Sequence, residues 1–160
     1  MTRADLPLLA DWLQADHLHH WWGDPAEQLA LVTEDLDQPL MDQQIASLGA
    51  LPFGYVQSYP VHAWPGGAPH LEEFPPGTVA IDCFIGPAAM LGKGHGTAML
   101  RLYARHLLQQ APCVVIDPDP DNERAVRAYR RAGFRDVAQR PDADGAMTLV
   151  MRFDPNSIRD

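Results

Sequence analysis

The chain has 160 residues, 46% apolar and 21% charged, a composition that suits one ordinary globular domain and excludes disordered or fibrous chains. No run reaches the ~18 continuous apolar residues of a membrane span, and the N-terminus shows no secretory h-region, so a cytoplasmic protein without membrane contact is expected. The net charge of −9 is uneven: residues 1–90 carry twelve acidic residues and one basic, and residues 91–140 nine basic and five acidic. That split suits an anionic ligand on the basic stretch and a cationic small molecule on the acidic one, and the lack of a basic stripe with interleaved aromatics argues against nucleic acid.

Leu6, Leu8, Leu9, Trp12 and Leu13 have helical spacing and predict one amphipathic helix over Ala4–Asp16. Asp24-Pro-Ala-Glu27 reads as a helix start with Asp24 as N-cap and Pro25 in the first position, and this helix runs to about Asp37. Gln43–Leu48 and Phe53–Tyr59 form a hairpin turning at Gly49–Pro52. Pro60–Gly77, rich in Pro and Gly, is a long loop of the kind that is functional or mobile. Thr78–Ile85 is a strand, Gly94–Gln109 a helix, and Cys113–Asp117 a short strand buried on both faces. Asn122–Ala132 is a helix ended by Gly133, and Arg135–Arg140 and Met147–Phe153 are closing strands. This order gives an α/β domain with a mixed sheet and helices on both faces. Cys83 and Cys113 lie in apolar strands and read as buried thiols rather than a disulfide.

Leu91-Gly-Lys-Gly-His-Gly-Thr97 joins a strand to a helix with three glycines at alternate positions. Such a turn points backbone N–H groups into a concavity at the positive end of a helix and suits phosphate. Alone it is also compatible with a plain strand-to-helix turn. The dinucleotide fingerprint needs G-x-G-x-x-G, and the triphosphate loop needs Ser or Thr after its Lys, whereas Lys93 is followed by Gly94.

The loop is followed by Asp117-Pro-Asp-Pro-Asp-Asn122 and by Ala125-Val-Arg-Ala-Tyr129-Arg-Arg-Ala-Gly133-Phe134. Together these segments resemble the GNAT superfamily of acetyl-CoA-dependent N-acetyltransferases. With Asp11-Trp12-Leu13, Trp21-Trp22-Gly23, Gly54–Tyr59 and Ile81-Asp82, the similarity extends to bacterial aminoglycoside 6'-N-acetyltransferases and covers nearly the whole chain. The resemblance implies a single acetyltransferase domain over residues 1–160. It implies acetyl transfer from acetyl-CoA to the 6'-amino group of an aminoglycoside, conferring resistance. A monomer or homodimer is expected, and no metal, since His17, His19 and His20 have no partner carboxylate at suitable spacing. Siderophore-precursor acyltransferases, which act on N6-hydroxylysine-type amines, are also similar, but a histidine usually stands where this chain has Asp82. Leu91 replaces the Gln or Arg usual in the wider superfamily. The superfamily's first strand is short or absent here, so that edge strand is missing or another element covers the sheet edge.

The same resemblance implies the site residues. Acetyl-CoA would lie against Phe84, Ile85, Leu91, Gly92, Lys93, Gly94, His95, Gly96, Thr97, Asn122, Ala125 and Tyr129. The amine substrate would meet Tyr59, Asp82 and Asp117; Trp21, Trp22, Glu72 and Glu73 are candidate pocket walls on their chemistry, since aromatic faces attract cations and carboxylates match ammoniums. The chemistry needs a deprotonated amine, a polarised thioester carbonyl and a proton for the departing thiolate. Asp82, a carboxylate in the apolar run Val79–Ile85, is the candidate base, since burial without a partner or a use is unfavourable. A satisfied core Asp is its alternative. Asp117 is a base or substrate ligand, or only the start of an Asp-Pro turn. Tyr129 is the acid for the thiolate, or packs beside Phe134. One of Trp21 and Trp22 could equally pack before the Asp24 helix. His17, His19 and His20 read as surface histidines at a helix end.

Overall fold

The computed structural model describes residues 1–157, and its elements follow one another nearly as the sequence predicts. The first predicted helix is divided. A 3-10 turn at Arg3–Asp5 leads into α1, Leu6–Leu13, and α2, Asp16–Trp22, begins after a break at Gln14 and Ala15. One straight helix would turn Leu18 roughly 140° away from Leu13 at 100° per residue. The extended backbone of Ala15 (φ −71°, ψ 131°) resets the direction, so Leu9, Trp12, Leu13 and Leu18 enter one cluster.

Helix α3, Pro25–Asp35, starts as expected. Asp24 Oδ1 accepts from the N–H groups of Ala26 (2.9 Å) and Glu27 (3.0 Å), two of the donors that a helix start leaves unpaired. Strands β1, Asp42–Leu48, and β2, Leu51–Pro60, form the antiparallel hairpin. Its turn is tighter than the expected Gly49–Pro52. Gly49 takes φ +61°, which allows a two-residue turn, and Leu51 and Pro52 pair with Leu48 and Ser47.

The remaining strands are β3, Val79–Ile85, β4, Val114–Ile116, β5, Phe134–Pro141, and β6, Met147–Phe153; the remaining helices are α4, His95–Leu107, and α5, Glu123–Ala132. The six strands form one mixed sheet in the order β1-β2-β3-β4-β6-β5, with β3 parallel to β4 and antiparallel pairs elsewhere in the second half. Gly133, at φ +116°, ends α5 as expected. The sheet begins at β1, with no strand before it among the described residues, and the Met1 ammonium donates to Gln43 O at 2.8 Å.

Two compact units divide the chain, the first built from residues 1–58 and 82–96 and the second from residues 59–81 and those from Thr97 onward. The first unit packs Leu9, Trp12, Leu13, Leu18, Val32, Tyr55 and Phe84 into its core. Gly86 lies directly against this cluster: a Cβ there would stand 2.1 Å from the Trp12 indole. The second packs Val61, Ala68, Leu71, Ala80, Cys113, Val115 and Val150. Three of these residues come from the predicted loop Pro60–Gly77, which is therefore anchored rather than mobile. Val61 N–H donates to Thr78 O (2.9 Å), a 3-10 turn forms at Pro69–Leu71, and Leu71 is fully buried.

Candidate active site

In the first unit, Asp82 sits mid-way along β3, half-buried. Gln57, on β2, donates its Nε2 to Asp82 Oδ2 at 2.9 Å. The orientation of that amide is set from behind: the Tyr55 hydroxyl donates to Gln57 Oε1 (2.6 Å) and accepts from Gln43 Nε2 (3.0 Å), which also donates to Val32 O (3.1 Å). Alternation along β2 explains the contact, since Tyr55 and Gln57 are two residues apart and share one face. Such a chain polarises its members and fixes the carboxylate's direction. Gln57 is also neutral, so it holds the oxygen without supplying a counter-charge.

The same unit carries the glycine loop to the start of α4. Gly92 and Gly94 adopt φ +72° and +83°, and a Cβ at either would meet nothing within 4 Å. The loop therefore needs glycine at these two positions for conformation, and the space above them is open. Gly96 differs: it lies in the first helical turn, and its Cβ would make only ordinary contact, at 3.5 Å, with Ile85. Lys93 is exposed, His95 is half-buried with its ring 5.4 Å from Phe53, and Leu91 is half-buried. A loop of this shape, ending where a helix leaves its first N–H groups without intrahelical partners, fits a pyrophosphate.

Several expected contact residues in this unit also have structural contacts. Phe84 is only 5% exposed and packs against Trp12, Trp22 and Tyr55, so any contact it makes with a cofactor must come from its backbone. Trp22, expected as a pocket wall, stacks edge-on against Phe84 at 4.9 Å, and half-buried Trp21 lies against His20. His17 is not a surface histidine: its Nε2 bonds Ile85 O at 2.8 Å. His19 and His20 are exposed.

In the second unit, Asp117 follows the last residue of β4 and its carboxylate is held by a residue that sequence reasoning missed. His70 Nε2 lies 2.6 Å from Asp117 Oδ2, with the two side chains 6% and 17% exposed. No local pattern marks His70, because its partner is 47 residues away. The loop that carries it is lashed by Arg140, which donates to His70 O (3.1 Å) and to Glu73 Oε2 (2.7 Å). Glu72 and Glu73 are exposed, and Tyr59 is half-buried with its ring 6.0 Å from Trp64.

Downstream, Asp119 Oδ1 accepts from Asp121 N–H, which closes the turn. Asn122 and Ala125, both expected at the cofactor, bond each other: Asn122 Oδ1 caps α5 by accepting from Ala125 N–H at 3.2 Å. The Thr97 hydroxyl donates to Ala128 O at 3.3 Å and ties α4 to α5. Tyr129 is half-buried with its ring 6.3 Å from Phe134. Neither cysteine forms a disulfide; Cys83 is half-buried rather than buried as expected, and burial pushes the Cys113 thiol up, which leaves it inert as a nucleophile. Among the described residues, no helix is long and apolar enough to cross a membrane.

A mixed α/β sheet whose third strand leads through a glycine turn into a helix N-terminus suits an acyl-CoA-dependent transferase, and the family description "Acetyltransferase (GNAT) domain" matches residues 2–141. The chain belongs to the GNAT acetyltransferases. It is 37% identical over 161 residues to aminoglycoside N(6')-acetyltransferase type 1 of Klebsiella pneumoniae, spanning 95% of this chain and 80% of that one. Two solved structures of AAC(6')-Ib, one with paromomycin and acetyl-CoA and one with coenzyme A and kanamycin, superpose with TM-scores of 0.85 at 32% identity. They cover 98% of this chain and 92% and 93% of theirs.

Proposed function

We propose that this protein transfers the acetyl group of acetyl-CoA to the 6'-amino group of an aminoglycoside, an activity that confers resistance. The observation that carries the reading is the sequence of features along one strand and its loop. A carboxylate oriented by Gln57 sits on β3, and nine residues later the same strand has led into a glycine cradle at the start of α4. The similarity to 6'-acetyltransferases over nearly the whole chain supports it.

Acetyl-CoA supplies the activated acyl group as a thioester. The loop from Leu91 to Thr97 offers backbone N–H groups to its phosphates, with Gly92 and Gly94 providing the shape and Gly96 the clearance. Lys93 adds a mobile positive charge, and the backbone of Phe84 and Ile85 lines the approach. Asp82 binds the substrate ammonium and takes its proton, directly or through water. Asp117, with Glu72 and Glu73, binds further ammoniums of a polycationic sugar. Tyr129 donates a proton to the departing thiolate. Trp21 offers an aromatic face to a cation. The family match supports reading the chain as one acetyltransferase domain. Two cysteines that form no disulfide accord with a reducing cytoplasm. The acting species is a monomer or homodimer, which sedimentation measures.

The test is thiol release from acetyl-CoA with kanamycin or tobramycin as acceptor, followed by NMR of the product. Release with N-acetylation at the 6' position is the expected result. Release only with N6-hydroxylysine moves the assignment to a siderophore precursor, and ligand binding without turnover removes the enzymatic reading altogether.

A further inference from the structure

We propose that His70 is the positioning residue for Asp117: a neutral imidazole whose Nε2–H fixes one carboxylate oxygen, so that the other faces the ammonium of the substrate. The inference rests on the reading of Asp117 as an amine-binding carboxylate and adds the device that aims it.

The geometry carries the argument. An ionised carboxylate only accepts hydrogen bonds, so at 2.6 Å the proton of the pair lies on His70 Nε2. The opposite ring nitrogen, Nδ1, is buried with no hydrogen-bond partner among the described residues. An imidazolium would bury a charged N–H there without an acceptor, whereas the neutral tautomer buries only a lone pair, which costs less. The ring is 6% exposed, and turning it over would forfeit the Asp117 contact. Its own backbone carbonyl is held by Arg140, and the neighbouring Leu71 is fully buried and donates to Ala68 O.

Two consequences follow. Because Nδ1 is enclosed, His70 has no free nitrogen with which to exchange a proton with substrate, so it positions and does not catalyse. Because the donor is uncharged, Asp117 keeps its full negative charge for a cation, which a lysine or arginine in the same place would neutralise. With Oδ2 engaged, the incoming ammonium is directed to Oδ1.

The experiment uses the full chain with saturating acetyl-CoA and varied kanamycin. His70→Leu, which keeps the bulk and removes the donor, raises the kanamycin KM by about tenfold or more, as expected for a hydrogen bond to a charged group. It leaves kcat and the acetyl-CoA KM within a factor of about three. His70→Gln, whose amide reaches the Nε2 position, restores the kanamycin KM. In the unsubstituted protein, ¹⁵N NMR of the imidazole shows Nε2 protonated and Nδ1 bare at neutral pH, a measurement that holds even if the leucine variant does not fold. An unchanged kanamycin KM in His70→Leu, a glutamine variant no better than leucine, or a protonated Nδ1 overturns the proposal. Asp117→Asn separates the two layers. If it raises the kanamycin KM while His70→Leu does not, only the His70 role falls; if it leaves that KM unchanged, the reading of Asp117 falls and takes the His70 role with it.

Discussion

At the scale of single residues, two of the carboxylates proposed to meet substrate each accept from an amide or an imidazole, while Glu73 is paired with Arg140. Asp82 is met by the Gln57 amide and Asp117 by the His70 ring, and neither donor brings a fixed positive charge. Asp82→Asn should lower kcat by roughly 10²-fold or more if the carboxylate takes the amine proton. The acetyl-CoA KM should stay nearly constant, and steady-state kinetics with each substrate varied will show whether the loss is confined to kcat. The glycines divide in the same residue-by-residue way. Gly96→Ala should leave the melting temperature unchanged or raised, since alanine is the better helix former by about 1 kcal/mol and its Cβ meets only Ile85. If the loop holds the cofactor phosphates as proposed, the same substitution should nonetheless raise the acetyl-CoA KM, because the added methyl would narrow that space. Gly92→Ala should instead destabilise the fold by about 1–2 kcal/mol through left-handed strain and so lower the melting temperature; equal effects of the two on stability would contradict this division.

At the scale of elements, the helix and strand ends follow from local rules and the contacts between them do not. Asp24 as cap, Pro25 as first helical residue and Gly133 as terminator all act within four residues of the feature they set, so they are legible from the chain alone. The break at Ala15 is not, because it serves the burial of Leu18 beside Leu13. Nor is the need for glycine at position 86, which exists only because the Trp12 indole arrives from α1. Gly86→Ala should therefore destabilise by about 1–3 kcal/mol, the usual cost of overpacking, or more if the ring cannot shift; a neutral melt would show that α1 yields freely. Helix α3 carries a fault of a different kind at its C-terminus. The Asp35 carboxyl is raised above its ordinary value, first by burial and then by the charge of Glu34. The folded state thus holds that proton more tightly than the unfolded chain. Stability is lost as pH rises from the ordinary carboxylate value through the raised one, and the full penalty applies at neutral pH. Asp35→Asn should raise stability at pH 7, since it removes the ionised carboxylate that burial and Glu34 disfavour. Melts repeated at pH values below about 4 should show the gain disappear.

For the whole molecule, the uneven charge of the sequence is its most useful global property. The acidic first ninety residues and the basic stretch from 91 to 140 accord with two ligands of opposite sign. Kanamycin affinity should weaken as salt rises through the range where the Debye length falls from about 10 Å to 3 Å. The order of elements behind the fold class, the strand that carries Asp82 and the glycine turn could be read from residue order because each element lies in one continuous segment. The pairing of His70 with Asp117, and of Arg140 with Glu73, depends on segments brought together by the sheet, and no spacing rule reports it.

The Arg140 guanidinium, which spans a carbonyl at one end of a turn and a carboxylate at the other, has a consequence for how substrate affinity is generated. A segment lacking regular strands would ordinarily surrender backbone freedom when a sugar docks, and that loss would be drawn from the binding energy. Here Arg140 already restrains the segment, so on the proposed reading less of that loss remains to be met when a sugar docks. Amides of Leu71 to Phe74 should accordingly exchange slowly with deuterium in the free protein, and adding kanamycin should slow them little further. Arg140→Ala should reverse both, with fast exchange in the free form and strong protection on binding.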